Sequence, residues 1–335
     1  MDIVGLENPA DVGLVHGPRT KAGQGDLFVA EGLKKGVRKL LRVKRLACQI
    51  RYGLFDFYGV HGIIPFQGRH QTVTQLGRPC NGLYSSQEVI VLTEHGPMLL
   101  CGDLHGDIDF AKLANSNVKS FLGADYPPSH VISLGDWGVI WNDSAKSLKQ
   151  EAYLKGWYND KPWETLVVQG NHEGYDRISR LPVEERYGAP VRKVSDKVFI
   201  LEHGHIYTIR GQRFFVFGGG DSIDKAYRTQ GVSWWPQEIP GRVDFQRALN
   251  NLASDDGQVD WVLTHTCPDS VLDHMIAADL LPFKGLKATD PTVKMLTALE
   301  GEIKTAKGWF FGHFHLDFQW KHYRCLYQEL FRLPE

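Results

Sequence analysis

Short apolar runs recur along the chain from Val89 onward, each closed by a glycine or a polar residue. They read VIVLTEH (Val89–His95), PMLLCGD (Pro97–Asp103), HVISLGD (His130–Asp136), TLVVQGN (Thr165–Asn171) and KVFILE (Lys197–Glu202). HIYTI, RFFVFGG, WVLTH, GWFFGH and YRCLYQEL (Tyr323–Leu330) follow. Continuous apolar runs bounded by glycine predict central strands covered on both faces. Between several of them the spacing becomes helical. FAKLANSNVKSFL (Phe110–Leu122) brings Phe110, Leu113, Val118 and Leu122 toward one face, and Ser144–Tyr158, Phe245–Ser254 and Thr292–Ile303 do the same. YTIRGQRFFVF reads as a hairpin turning at Arg210-Gly211. The mixture predicts α/β layers with both parallel and antiparallel pairing.

Residues 1–88 lack this periodicity, apart from the basic stretch KKGVRKLLRVKR (Lys34–Arg45), and the turn-like NGLYSSQEV marks a boundary. The chain therefore divides into a basic N-terminal extension, 1–88, and a domain, 89–335. Over all 335 residues the formal charge is −1, which by itself excludes a strongly basic nucleic-acid binder. That figure averages unlike parts: 12 Lys+Arg against 7 Asp+Glu up to Glu88, and 26 against 32 after it. The extension is expected to be poorly structured, either disordered or a non-native leader. No Met lies between Met1 and Met98, so a later start would need a non-ATG codon. Alternatively Lys34–Arg45 forms a helix that meets nucleic acid or an anionic surface, against the plainer reading of a solvated helix face. Five scattered cysteines without a CxxC, no secretory signal and no apolar run of about 18 residues predict a reducing, cytoplasmic setting without a membrane span.

The chemistry is carried by what stands at the ends of the apolar runs. Asp103 and His105 stand at the end of PMLLCGD, Asp136 of HVISLGD, Asn171 and His172 of TLVVQGN, His265 of WVLTH, and His313 and His315 of GWFFGH. Ligand sites in α/β sheets gather outside the carboxyl ends of strands. In Asp103-x-His105 and His313-x-His315 the i and i+2 residues of an extended segment can face one centre. Five strand ends supplying Asp, Asn and His are more than turn chemistry accounts for. His203-Gly204-His205 repeats the His-x-His pattern between two runs and reads as a turn histidine followed by a strand histidine.

GDLHGD (Gly102–Asp107), GDWG (Gly135–Gly138), GNHE (Gly170–Glu173), THT (Thr264–Thr266) and GHFH (Gly312–His315) resemble, in order, the five blocks of calcineurin-like metallophosphoesterases, and intervening segments resemble their bacterial and phage branch. The resemblance implies a four-layer αββα sandwich, two mixed β-sheets flanked by helices. It implies that Asp103, His105 and His315 bind one metal and Asn171, His265 and His313 a second, with Asp136 bridging both and His172 as the catalytic residue facing substrate. It further implies a dinuclear phosphoester hydrolase using a metal-bridging hydroxide for in-line attack on phosphorus. Two divalent ions against two aspartates would leave a net charge of about +2, suited to a phosphate dianion. A shell of imidazole and oxygen without thiolate allows Mn, Fe, Zn, Co or Ni, with manganese the first choice.

The chain departs from the family's phosphoprotein phosphatases, which carry GDxxDRG and RGNHE. GDWGVIW and QGNHE lack those arginines, and the Asp that would pair with the catalytic histidine is missing too. Arg177, Lys225 and Arg228 are candidate replacements, against a reading of each as surface charge. Gly218–Gly220 suggests a phosphate cradle or a flexible loop. Trp234 and Trp235 suggest either a pocket wall or buried aromatics. Cys101 and Cys267 could be thiols behind the ligands or small buried residues. Phosphomonoesterase is the preferred activity, on a phosphorylated small molecule, nucleotide or phosphoprotein. The alternatives are a phosphodiesterase, nuclease or nucleotide hydrolase on the same metals, or a non-catalytic module tethered to nucleic acid.

Overall fold

A computed structural model of the protein describes residues 96–281 and 290–335. The expected strand Val89–His95, the basic stretch Lys34–Arg45 and the boundary after residue 88 lie outside the described residues.

Three of the apolar runs become neighbouring parallel strands, β1 (Met98–Cys101), β2 (His130–Ser133) and β3 (Glu164–Val167). They are joined by the antiparallel pair β4 (Val183–Arg186) and β5 (Ala189–Lys193), by β6 (Val198–Leu201) and by the late strand β13 (Leu330–Arg332), in the order β13-β1-β2-β3-β6-β5-β4. A second sheet holds β7 (His205–Ile209), β8 (Gln212–Phe217), β9 (Trp261–Thr264), β10 (Gly308–Phe311), β11 (Phe318–Trp320) and β12 (Tyr323–Cys325), in the order β11-β12-β10-β9-β8-β7. Both sheets are mixed. The hairpin β7–β8 turns at Arg210 and Gly211, whose φ of 51° and 75° suit the two-residue turn that matches strand twist.

Side-chain alternation along these strands builds three cores. Leu100, Ile132, Leu166 and Phe199 of the first sheet pack against Phe214, Val216, Leu263 and Phe310 of the second. Their neighbours Leu99, Cys101, Val131 and Val167 face outward onto α1 (Asn115–Leu122) and α2 (Ala145–Asn159). Phe215, Phe217, Val262 and Phe311 face outward on the other side. They meet α4 (Arg242–Ser254), α5 (Asp269–Ala277) and α6 (Pro291–Glu302); a single turn, α3 (Tyr175–Ile178), precedes these helices. Three buried interfaces between four layers make the αββα sandwich.

Two local expectations are corrected. The helix over Phe110–Leu122 is broken: Phe110–Leu113 is a 3-10 turn, and Ala114 is extended at φ −60°, ψ 140° before α1 begins. The Nζ of Lys112 bonds the carbonyls of Asp103 and Tyr327, both at 2.5 Å, which ties the first turn to the strand end and keeps it out of register with α1. The run Tyr323–Leu330 is two strands in different sheets. Asp317 accepts the amides of Tyr327, Gln328 and Glu329 at 2.7, 3.0 and 3.2 Å and turns the chain from β12 toward β13.

Candidate metal centre

The carboxyl ends of β1, β2 and β3 in one sheet and of β9 and β10 in the other converge, and the residues that follow them form one cluster. Asp103, His105, Asp136 and His315 each offer a donor atom within 4.8 Å of the others. His315 Nε2 lies 3.2 Å from Asp103 Oδ2, and His105 Nε2 lies 3.3 Å from Asp136 Oδ2. On the other side of the same carboxylate, Asp136 Oδ1 lies 3.2 Å from His265 Nε2. Asn171 Oδ1 is 2.9 Å from that nitrogen and 2.8 Å from His313 Nδ1, and the two imidazole nitrogens are 3.2 Å apart. The seven predicted residues thus lie together around Asp136, four of them in one compact cluster.

The cluster is held under local strain. His105, Asp136, His313 and His315 all have positive φ, at 47°, 48°, 68° and 54°. Such conformations cost on the order of 1–3 kcal/mol each and persist only where surroundings over-determine them. At Asp136 those surroundings are explicit. Its carbonyl accepts the amides of Leu104 and His105 at 3.1 and 2.7 Å, and buried Glu173 accepts the amides of Trp137 and Gly138 at 2.8 and 3.2 Å. Glycine is required where blocks interlock. A Cβ on Gly135 would stand 2.2 Å from His265 Nδ1, and one on Gly312 would stand 2.2 Å from Asp103 Oδ1.

The donors fit a divalent cation. Asp103 Oδ2 is buried and faces only the His315 ring nitrogen, at 3.2 Å, without a well-formed hydrogen bond, a position a cation satisfies. His265 Nδ1 lies 2.8 Å from Leu134 O, so its hydrogen is spent there and Nε2 is the nitrogen turned to the cluster. Burial opposes charge on either aspartate. His315 beside Asp103 and His265 beside Asp136 nonetheless hold both carboxyls below the usual range, Asp136 well below it. Against the same desolvation, Asp136 carries His265 up to about 9, while Asp109 and Asp136 carry His105 up to about 10. Burial and the adjacent His265 push His313 down to about 3. A negative field that retains protons on imidazole also draws a metal, which displaces them.

His172 stands beside this cluster. Its backbone amide donates to Asp136 Oδ1 at 2.7 Å, its ring is 5.4 Å from that of His105, and Trp141 stacks behind it at 6.3 Å. Arg228 Nη2 approaches His172 Nε2 to 2.8 Å, and Asp224 holds the same guanidinium at 2.8 and 2.9 Å. Burial first, then Arg228, depress the His172 pKa below its ordinary value although Asp136 pulls the other way. Of the three candidate cations, only Arg228 touches a predicted site residue. Arg177 pairs with Glu151 and Asp143, and Lys225 with Asp221.

The weaker sequence signals find other places. Val139 and Ile140, at the Asp and Arg positions of GDxxDRG, are buried in a core, and Gln169, at the Arg position of RGNHE, donates to Leu201 O at 3.0 Å. The amides of Gly218, Gly219 and Gly220 are spent on His203 Nδ1, Gln169 O and Glu238 O at 3.1, 2.7 and 3.0 Å. That run is therefore a packed turn, neither a phosphate cradle nor a loose loop, and His203 is its buried acceptor. Trp235 is buried, donates to Asp176 at 3.0 Å and braces Trp141. Cys101 and Cys267 are fully buried, and desolvation raises both thiols, Cys101 to about 12. Sequence reasoning missed Ser222 and Glu238, which hold Asn171 from behind: Asn171 Nδ2 donates to Ser222 Oγ at 2.9 Å. The only local signal was a serine just past the glycine run.

Two facing mixed sheets thus carry a compact carboxylate and imidazole cluster at their shared strand ends, the donor set of a metal-dependent hydrolase. Residues 96–317, about two thirds of the chain, match the calcineurin-like phosphoesterase family, and the chain belongs to it. A search of curated proteins finds no match. Among the described residues no helix is long and apolar enough to cross a membrane.

Proposed function

We propose that the protein is a dinuclear phosphomonoesterase. Asp103, His105 and His315 would hold one divalent ion, Asn171, His265 and His313 the other, and Asp136 both. The observation that carries this reading is Asp136, whose two oxygens face opposite donor sets at 3.3 and 3.2 Å. Bound divalent ions supply neutralisation of phosphoryl charge and acidification of water, and manganese is the ion we test first. The chain's own residues supply the rest. Arg228 gives a fixed cation at the cluster's edge, matched to the second charge of a monoester dianion. While it donates to His172 Nε2, the neutral ring keeps its hydrogen on Nδ1. Phosphoryl oxygens that draw the guanidinium away free Nε2 to take up a proton and pass it to the leaving oxygen. Trp141 holds the ring plane from behind.

Three buried free thiols among the described residues, Cys101, Cys267 and Cys325, support a cytoplasmic setting. The deciding experiment compares p-nitrophenyl phosphate with its bis ester under Mn²⁺, with metal content measured on the same preparation. Faster turnover of the monoester is expected. Faster turnover of the diester would replace this reading with a phosphodiesterase or nuclease.

A further inference from the structure

Asn171 is uncharged, yet it presents Oδ1 to two imidazole nitrogens, at 2.9 Å from His265 Nε2 and 2.8 Å from His313 Nδ1. An amide has two chemically opposite ends of nearly one shape, so something must decide which end faces the cluster. The imidazoles alone do not decide it. His265 spends its Nδ1 hydrogen on Leu134 O, and its Nε2, 3.2 Å from Asp136 Oδ1 and 2.9 Å from Asn171, meets either end of the amide according to whether it carries a proton.

The outer side of Asn171 makes the choice. Its Nδ2 donates to Ser222 Oγ at 2.9 Å. Ser222 Oγ donates in turn to Glu238 Oε2 at 2.6 Å, and Ser222 N donates to Glu238 Oε1 at 2.9 Å. A carboxylate only accepts, so the single hydroxyl hydrogen of Ser222 is committed, and Ser222 can offer Asn171 nothing but a lone pair. Asn171, Ser222 and Glu238 are 5%, 2% and 0% exposed, out of reach of bulk water.

We infer that Glu238 and Ser222 form a positioning relay that holds the amide oxygen of Asn171 toward His265 and His313 and so makes a neutral side chain a metal donor. The inference rests on the dinuclear reading above. Hydrogen bonds in such a chain polarise one another, so the relay also strengthens the donor oxygen. Outer partners of this kind are commonly worth 10- to 100-fold in metal affinity.

Titration calorimetry of Mn²⁺ into the metal-stripped full chain tests this, with circular dichroism as the check on folding. The variants are S222A, E238Q, N171D and the double variant S222A/N171D. The wild type should bind two ions. S222A and E238Q should each weaken one of them by about 10- to 100-fold and leave the other within about threefold. On the N171D background S222A should change little, because a carboxylate presents an oxygen whichever way it turns. Unchanged affinities in S222A and E238Q overturn the relay, as does an equal loss from S222A on both backgrounds. If E238Q fails to fold, S222A, which removes one hydroxyl, still decides. A wild type that binds no Mn²⁺ would sink the metal-centre reading itself, and the relay with it.

Discussion

The guanidinium of Arg228 rests 2.8 Å from His172 Nε2 and is held there by Asp224. A cation parked on an imidazole lone pair is poorly placed for a resting histidine and well placed for an incoming anion. R228A should therefore lower kcat/KM for p-nitrophenyl phosphate by about 10- to 100-fold, the effect of losing a charged hydrogen bond. The bis ester, with one charge fewer, should lose less. Steady-state kinetics on both esters, with metal content unchanged, check this. An equal loss on both would reduce Arg228 to a structural role.

His172 meets the cluster through its backbone, while its ring is turned to Arg228 and Trp141. Replacing the ring leaves the bond from residue 172 N to Asp136 Oδ1 intact. H172A should keep its metal and lose turnover by about 10²- to 10⁴-fold, the range for a lost general acid. Plasma emission for metal and initial rates for turnover separate the two. Loss of both together would mean that the ring builds the site and does not serve it.

The interlock between blocks predicts a severe effect from one methyl group. Gly135 has a φ of 101°, and its added Cβ would meet His265 Nδ1 at 2.2 Å, where that nitrogen bonds Leu134 O. G135A should displace His265 from Asn171 and His313. Mn²⁺ affinity should fall, and stability should drop by about 1–3 kcal/mol, the usual cost of overpacking. Titration calorimetry and urea unfolding measure both. A G135A protein that binds two ions as the wild type does would show that the turn yields without moving the histidine.

Much of the site was legible because its chemistry is local. Asp103, Asp136, Asn171 and His313 each stand just past a strand end, beside a glycine, His265 directly follows its strand, and the apolar strand marks the place. The sandwich was legible for the same reason: each long apolar run alternates between two cores, so both faces needed covering. What escaped depends on contacts distant in sequence. Glu238 lies on a short 3-10 turn, Pro236–Glu238, with no periodic pattern to single it out, and only the fold brings it to Ser222. Arg228 was one of three candidate cations in the sequence, and only the fold, which sets Asp224 and His172 on either side of it, separates it from Arg177 and Lys225. The run Tyr323–Leu330 is apolar enough for one strand, and the amides gathered by Asp317 divide it between two sheets.

Far from the metal centre, Glu164 at the start of β3 gives a prediction about stability alone. It accepts hydrogen bonds from Arg186 and Tyr187 and lies 3.6 Å from His130 Nε2. Burial works against its charge, but hydrogen bonds from His130, Tyr187 and Arg186 outweigh it and hold the pKa at about 2, below the ordinary 4.5. A carboxyl whose folded pKa is depressed stabilises the fold fully above its unfolded pKa and ceases to do so as pH falls through the folded one. The stability that Glu164 contributes as a carboxylate should thus be intact at neutral pH, shrink below about pH 4.5 and be gone near pH 2. Its size follows from the same displacement, on the order of 3 kcal/mol. Urea unfolding of E164Q beside the wild type, from pH 7 downward, should show the gap between the two close over that window. A gap that stays constant into the acid range would assign Glu164 a packing role and no electrostatic one.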